Sequence, residues 1–276
     1  MKRRSFLAAS CGLALNTALP AGVLAAGSRR LEKIGFQLYT ARRLVEADTA
    51  GTLDALAGIG YDEVEFAGYF DHSPAEIRSF LDSAGLAAPS AHVQLDDMRS
   101  RAGQVIDAAQ VIGHEFLVLG WLAPSERKTL DQYRAHAELC NRFAERCREA
   151  GVRFGYHNHE FEFEELEGRR PMDLLLAETD PELVKVELDL YWINVAGADP
   201  LDYFARHPGR FPLCHVKDMA ADGSFADVGS GRIDFAAIFA ASGKAGLEHY
   251  FVERDDSPDP LATAAAAYAF LRGLEF

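Results

Sequence analysis

Val152-Arg153-Phe154-Gly155-Tyr156-His157-Asn158-His159 is the stretch on which the fold turns. Side chains alternate in direction along a strand, so Phe154 and Tyr156 would face one side, with Gly155, His157 and His159 on the other. A strand that buries aromatics outward and presents histidines inward fits the wall of a barrel. On its N-terminal side lies a helical pattern over Glu126–Ala150, closed by Gly151. On its C-terminal side another helical pattern runs over Pro171–Glu178.

Working outward, the same unit recurs. Further extended segments are Ile34–Tyr39, Glu63–Phe66, Ala88–Val93, Phe116–Leu119, Val184–Asp189, Phe211–Val216 and Tyr250–Glu253. Helical patterns between them cover Thr52–Ile59, Pro74–Ala84, Ala102–Ile112, Pro200–Ala205, Phe235–Ala241 and Pro260–Leu274. Eight strand-then-helix units predict a single-domain (β/α)8 TIM barrel over residues 27–276. An open doubly wound sheet is the rival. It would need a glycine-rich phosphate loop after the first strand, where Gln37-Leu38-Tyr39-Thr40 stands instead.

The ends and the composition narrow the classes. Lys2-Arg3-Arg4-Ser5-Phe6-Leu7, then a small-residue apolar run reaching Ala25-Ala26, resembles a twin-arginine export signal over residues 1–26. Asn16 and Pro20 interrupt the run, which is too short for a membrane span. A periplasmic or exported protein is expected, with no membrane attachment once the signal is removed. Losing Lys2, Arg3 and Arg4 takes the formal charge from −14 to −17. That charge repels phosphate backbones, so nucleic acid is not an expected partner, and a phosphorylated substrate is less expected than an unphosphorylated one. A homo-oligomer is compatible with the composition. Cys140, Cys147 and Cys214 have no zinc-type spacing, and the first two lie too far apart to bridge.

Strand parity then sorts the polar residues. Gln37, Glu65 and His92 point inward on the first three strands, Glu187 and Asp189 on the sixth, His215 and Lys217 on the seventh, and Glu253 on the eighth. Active sites of such barrels collect at the C-terminal ends of the strands. Taken singly, each residue has a bland use: Asp189 as a helix N-cap, Lys217 in a salt bridge with Asp218 or another carboxylate, Glu65 in an internal salt bridge, His159 capping a loop or orienting His157. Together, His, Asp, His and Glu at the ends of four consecutive strands are explained by one metal site. Imidazole mixed with carboxylate suits a divalent ion, with Mn2+, Mg2+, Co2+, Fe2+ and Zn2+ all open.

Tyr156-His157-Asn158-His159-Glu160-Phe161-Glu162-Phe163, Glu187-Leu188-Asp189-Leu190-Tyr191-Trp192, His215-Val216-Lys217-Asp218 and Val252-Glu253 resemble the sugar phosphate isomerase/epimerase group of xylose isomerase-like barrels. Gly35-Phe36-Gln37-Leu38-Tyr39-Thr40 and the run from Asp227 to Phe235 are similar to that group too. The resemblance implies a metal held by His157, Asp189, His215 and Glu253. It also implies a departure, since ketose 3-epimerases carry a glutamate where His157 stands. That moves the expectation toward His-Asn-His members, some resembling lyases or hydrolases of 3-keto sugars and glycosides.

The chemistry implied is proton abstraction next to a carbonyl through an enediolate. Lys217, His159 and Glu253 are the expected carriers of protons, with Glu160 and Glu162 as alternative bases. Gln37, Glu65, His92 and Trp192 are the expected sugar contacts, whereas Trp121 is read as rim packing and the Gly229/Gly231 pair as a tight turn. A neutral imidazole at 157 leaves one anionic ligand fewer, and therefore a stronger Lewis acid. Two other classes compete: a non-catalytic exported barrel that binds metal and sugar, and an endonuclease-type barrel with several metals.

Overall fold

The computed structural model describes residues 29–276, so the signal and its boundary at residue 26 lie outside the described residues. Eight strands close a parallel barrel: β1 Gly35–Gln37, β2 Glu63–Phe66, β3 Ala87–Val93, β4 Phe116–Leu119, β5 Arg153–His157, β6 Val184–Asp189, β7 Leu213–Val216 and β10 His249–Val252. Two short strands, β8 Asp218–Met219 and β9 Phe225–Ala226, form an antiparallel hairpin between β7 and β10. Closure comes from β1 pairing with β10 in the register Gly35↔Phe251. The barrel forms one domain, as expected.

Parity holds around the wall. Phe154, Tyr156, Val184, Val186, Leu188, Cys214 and Val216 belong to the main apolar core. The opposite parity fills the barrel axis, where Phe116, Val118, Leu213 and Phe251 form a separate buried plug. Cys140, Cys147 and Cys214 are free and buried.

Local chemistry shifts two expected boundaries. The first strand stops at Gln37 because its side-chain oxygen accepts the Tyr39 N–H at 3.0 Å and turns Leu38–Ala41 into a 3-10 helix. Tyr39 is thereby left 42% exposed at the mouth. The long helix starts at Leu130 rather than Glu126, since Thr129 supplies the N-cap to Gln132 N–H and Pro124–Glu126 forms its own turn. No helix among the described residues is long and apolar enough to cross a membrane.

Candidate metal centre and active site

Asp189 ends β6 and divides its carboxylate. Oδ1 accepts the N–H groups of Tyr191 and Trp192 at 2.8 and 2.9 Å, capping the helix Leu190–Val195. Oδ2 is buried and has no hydrogen-bond partner. It lies 3.8 Å from His157 Nε2, 3.8 Å from His215 Nδ1 and 3.0 Å from Lys217 Nζ. Glu253 Oε2 lies 2.8 Å from His215 Nδ1 and 2.7 Å from Lys217 Nζ. The four residues expected as ligands end neighbouring strands, but His157 approaches Asp189 Oδ2 only to 3.8 Å and groups with His92, Glu187 and His215. Asp189, His215 and Glu253 offer atoms close enough to share one cation.

Imidazole and carboxylate ligands, with one buried carboxylate oxygen that accepts no hydrogen bond of good geometry, fit a divalent ion. An uncompensated carboxylate oxygen buried among imidazoles is costly unless a cation or proton joins it. Lys217 is that cation in the described structure. Burial opposes its charge, yet Asp189, Glu253 and Asp255 together hold its pKa well above the usual lysine value. Burial likewise works against the Glu253 carboxylate, but Lys217 and His215 keep it well below the ordinary range.

Beneath this point lies a second layer, and here the sequence reading is corrected. Gln37 and Glu65, expected at sugar hydroxyls, are fully buried and engaged by the protein itself. Gln37 Nε2 donates to Glu65 Oε2 at 2.6 Å, Ser90 donates to Glu65 Oε1, and His215 Nε2 lies 2.7 Å from Glu65 Oε2. His92 does line the cavity, but its Nε2 is 2.8 Å from Glu187 Oε2. Glu187 was visible as an inward residue without a role. It stands within 3.1 Å of His157 Nδ1 and of His215 Nε2 as well.

Above the point opens a cavity of about 480 Å³, lined by His92, His157, His159, Lys217, Glu253 and Asp255 with Tyr39 and Trp121 at its rim. The two tryptophans exchange the places expected of them. Trp121 is 44% exposed on the cavity. Trp192 packs behind, its ring 5.6 Å from that of His159 and 5.5 Å from Lys217 Nζ. Gly120 makes room for this layer: a Cβ there would meet His92 Nδ1 at 2.4 Å.

His159 stacks on Phe161 with ring centroids 5.3 Å apart and planes within 4°. Burial, then the charge on His157, pushes its pKa down to about 2, so it is a neutral imidazole. Its backbone N–H donates to Glu162 Oε2 at 2.7 Å, and Tyr156 OH donates to Glu162 Oε1 at 2.6 Å. Glu162 is thus a loop anchor rather than a mouth-facing base. Asn158, fully buried, accepts the Asp189 N–H at 3.0 Å and ties the ends of β5 and β6 together.

Asp255 is the site residue that strand parity missed, because it follows β10 in a loop. It lies 2.9 Å from Lys217 Nζ, and burial followed by Glu253 raises its pKa to about 6. Lys217 thus pairs with other carboxylates rather than with Asp218, which accepts backbone N–H groups of Met219, Gly229, Gly231 and Ile233 at 2.8–3.2 Å. The Gly229/Gly231 turn wraps that carboxylate, and a Cβ on Gly231 would collide with it at 2.2 Å.

Comparison with known proteins agrees with this architecture. The chain is 25% identical to an inosose dehydratase of Lacticaseibacillus casei over 264 residues, covering 79% of this chain and 87% of that protein. An inosose dehydratase of Geobacillus kaustophilus is 25% identical over 232 residues, covering 68% and 73%. A sugar phosphate isomerase/epimerase crystal structure from Parabacteroides distasonis superposes with a TM-score of 0.75 at 26% identity, covering 91% of this chain and 96% of that one. The relatives are sugar-acting enzymes, and residues 53–274 match a family as a whole: the chain belongs to the xylose isomerase-like TIM barrel family.

Proposed function

We propose that this protein is a metal-dependent lyase or isomerase of an unphosphorylated keto sugar or keto glycoside, working by proton removal next to a carbonyl. His157, Asp189, His215 and Glu253 are the residues that would hold the ion. A bound divalent ion supplies Lewis-acid polarisation of a carbonyl oxygen. The observation that carries the reading is the convergence of the Asp189, His215 and Glu253 ligand atoms, close enough to share one cation, with Asp189 Oδ2 buried and facing both imidazoles.

The chain's own residues divide the remaining work unequally. Lys217, buried and held as an ammonium by three carboxylates, stabilises negative charge developing on a substrate oxygen and delivers a proton. His159 lines the cavity as a neutral imidazole whose pKa of about 2 makes it a polar contact rather than a base, and Glu253 relays protons between Lys217 and the floor. An ammonium and a neutral imidazole are not the two opposed carboxylates that reversible epimerisation uses. This asymmetry favours one-sided proton removal followed by loss of a leaving group. Relatives named dehydratases, which eliminate water, support that preference. Trp121 and Tyr39 are the rim groups on which a sugar ring would rest, with His92 beside them. The absence of any lysine or arginine other than Lys217 among the cavity-lining residues supports a substrate without phosphate.

Elemental analysis tests the assignment. Asp189→Ala and His215→Ala should each lose the near-stoichiometric metal of the wild type while keeping the barrel's circular dichroism. Full retention of metal in both would sink it.

A further inference from the structure

Glu187 is not one of the four expected ligands and does not line the cavity, yet it is fully buried at the centre of three histidines. Each candidate ligand imidazole has two faces here. His157 turns Nε2 toward Asp189 Oδ2, while its buried Nδ1, without a hydrogen bond of good geometry, lies 3.1 Å from Glu187 Oε2. His215 turns Nδ1 toward Asp189 and Glu253, and Nε2 toward Glu65 Oε2 at 2.7 Å and Glu187 Oε2 at 3.1 Å. An imidazole ligates only through a nitrogen that carries no proton, so its proton must sit on the other nitrogen. In both rings that other nitrogen faces a buried carboxylate.

We infer that Glu187 is a positioning residue: it fixes the proton of His157 on Nδ1, presents Nε2 to the ion, and supplies from behind the negative charge that a histidine lacks at position 157. The inference rests on the metal reading above. Carboxylates that hold ligand imidazoles orient the ring and raise its basicity, and losing one typically weakens metal affinity by about 10–100-fold. The expected effect of the histidine, a more strongly polarising ion, is therefore moderated by an anion 3.1 Å behind the ring. The same atoms offer a competing use. His92, His157, Glu187 and His215 lie close enough to hold a cation themselves. In that case Glu187 would be a ligand. His215 Nε2 and His157 Nδ1 would then have to give up their protons to it, and Asp189 Oδ2 would keep Lys217 as its cation.

Two measurements on the full chain separate these uses. In metal-free protein at neutral pH, 15N NMR of the imidazoles should show His157 protonated on Nδ1. Zinc affinity, measured by chelator competition, should fall about 10–100-fold in Glu187→Gln and recover in part in Glu187→Asp, which keeps the charge. Proton on Nε2 of His157 in the wild type overturns the inference, and so does a Glu187→Gln affinity within twofold of wild type. Abolished binding in Glu187→Gln with binding intact in Asp189→Ala also overturns it, by making Glu187 a ligand. If Glu187→Gln fails to fold, the wild-type tautomer decides alone. A wild type that takes up no zinc defeats the metal reading, whereas the tautomer is read without metal.

Discussion

Asp189 shows how one residue can serve a helix and a site at once. Its Oδ1 caps the following helix, as one reading of the sequence expected, and its Oδ2 is left facing the histidines and Lys217, where the proposed ion would sit. Asp255 makes a different point. It lies within ion-pair reach of Lys217 and titrates near 6, raised by burial and then by Glu253. Below that pH it is protonated, and Lys217 loses one of the three carboxylates that hold it. Activity should therefore fall as pH drops through about 6, with loss in kcat/KM rather than in folded content. In Asp255→Asn that acidic limb should disappear from the pH–rate profile. A limb unchanged in the variant would assign it to another group.

At the scale of elements, the strands' inward and outward faces were legible because period two needs only local sequence. What alternation cannot give is height along the axis, which depends on register between strands. Gln37 and Glu65 point inward as read, but they sit one layer below the cavity, and Glu187 gains its meaning only from β3, β5 and β7 beside it. Residues past the strand ends were less legible still. Asp255 and Trp121 are placed by loops, which follow no period. The hairpin loop after β7 is held by Asp218, whose carboxylate gathers four backbone N–H groups. Asp218→Ala leaves those donors without an acceptor and should cost about 2–4 kcal/mol of unfolding free energy. Metal content should stay near wild type, because Asp218 does not face the site. A denaturant midpoint indistinguishable from wild type would show that the loop finds other partners.

For the molecule as a whole, composition and charge gave direction rather than detail. The acidic charge disfavours a nucleic-acid partner and the relatives are sugar-acting enzymes, on which the proposal of a small carbohydrate substrate rests; export is likewise a proposal, carried by Arg3 and Arg4. Replacing both by lysine should leave the precursor in the cytoplasm, since the route for folded proteins reads the arginine pair. An unchanged periplasmic yield on cell fractionation would reassign the leader to another route.

The central claim is that the floor of this cavity, with its ion, removes a proton next to a carbonyl. The most direct measurement is exchange of substrate carbon-bound hydrogen with 2H2O, followed by NMR on unphosphorylated keto sugars and a 3-keto glucoside. The account predicts exchange by the metal-loaded wild type. Chelation should abolish it, metal should restore it, and Asp189→Ala should lack it throughout. Conversion without solvent exchange, or exchange that survives both chelation and Asp189→Ala, would contradict it.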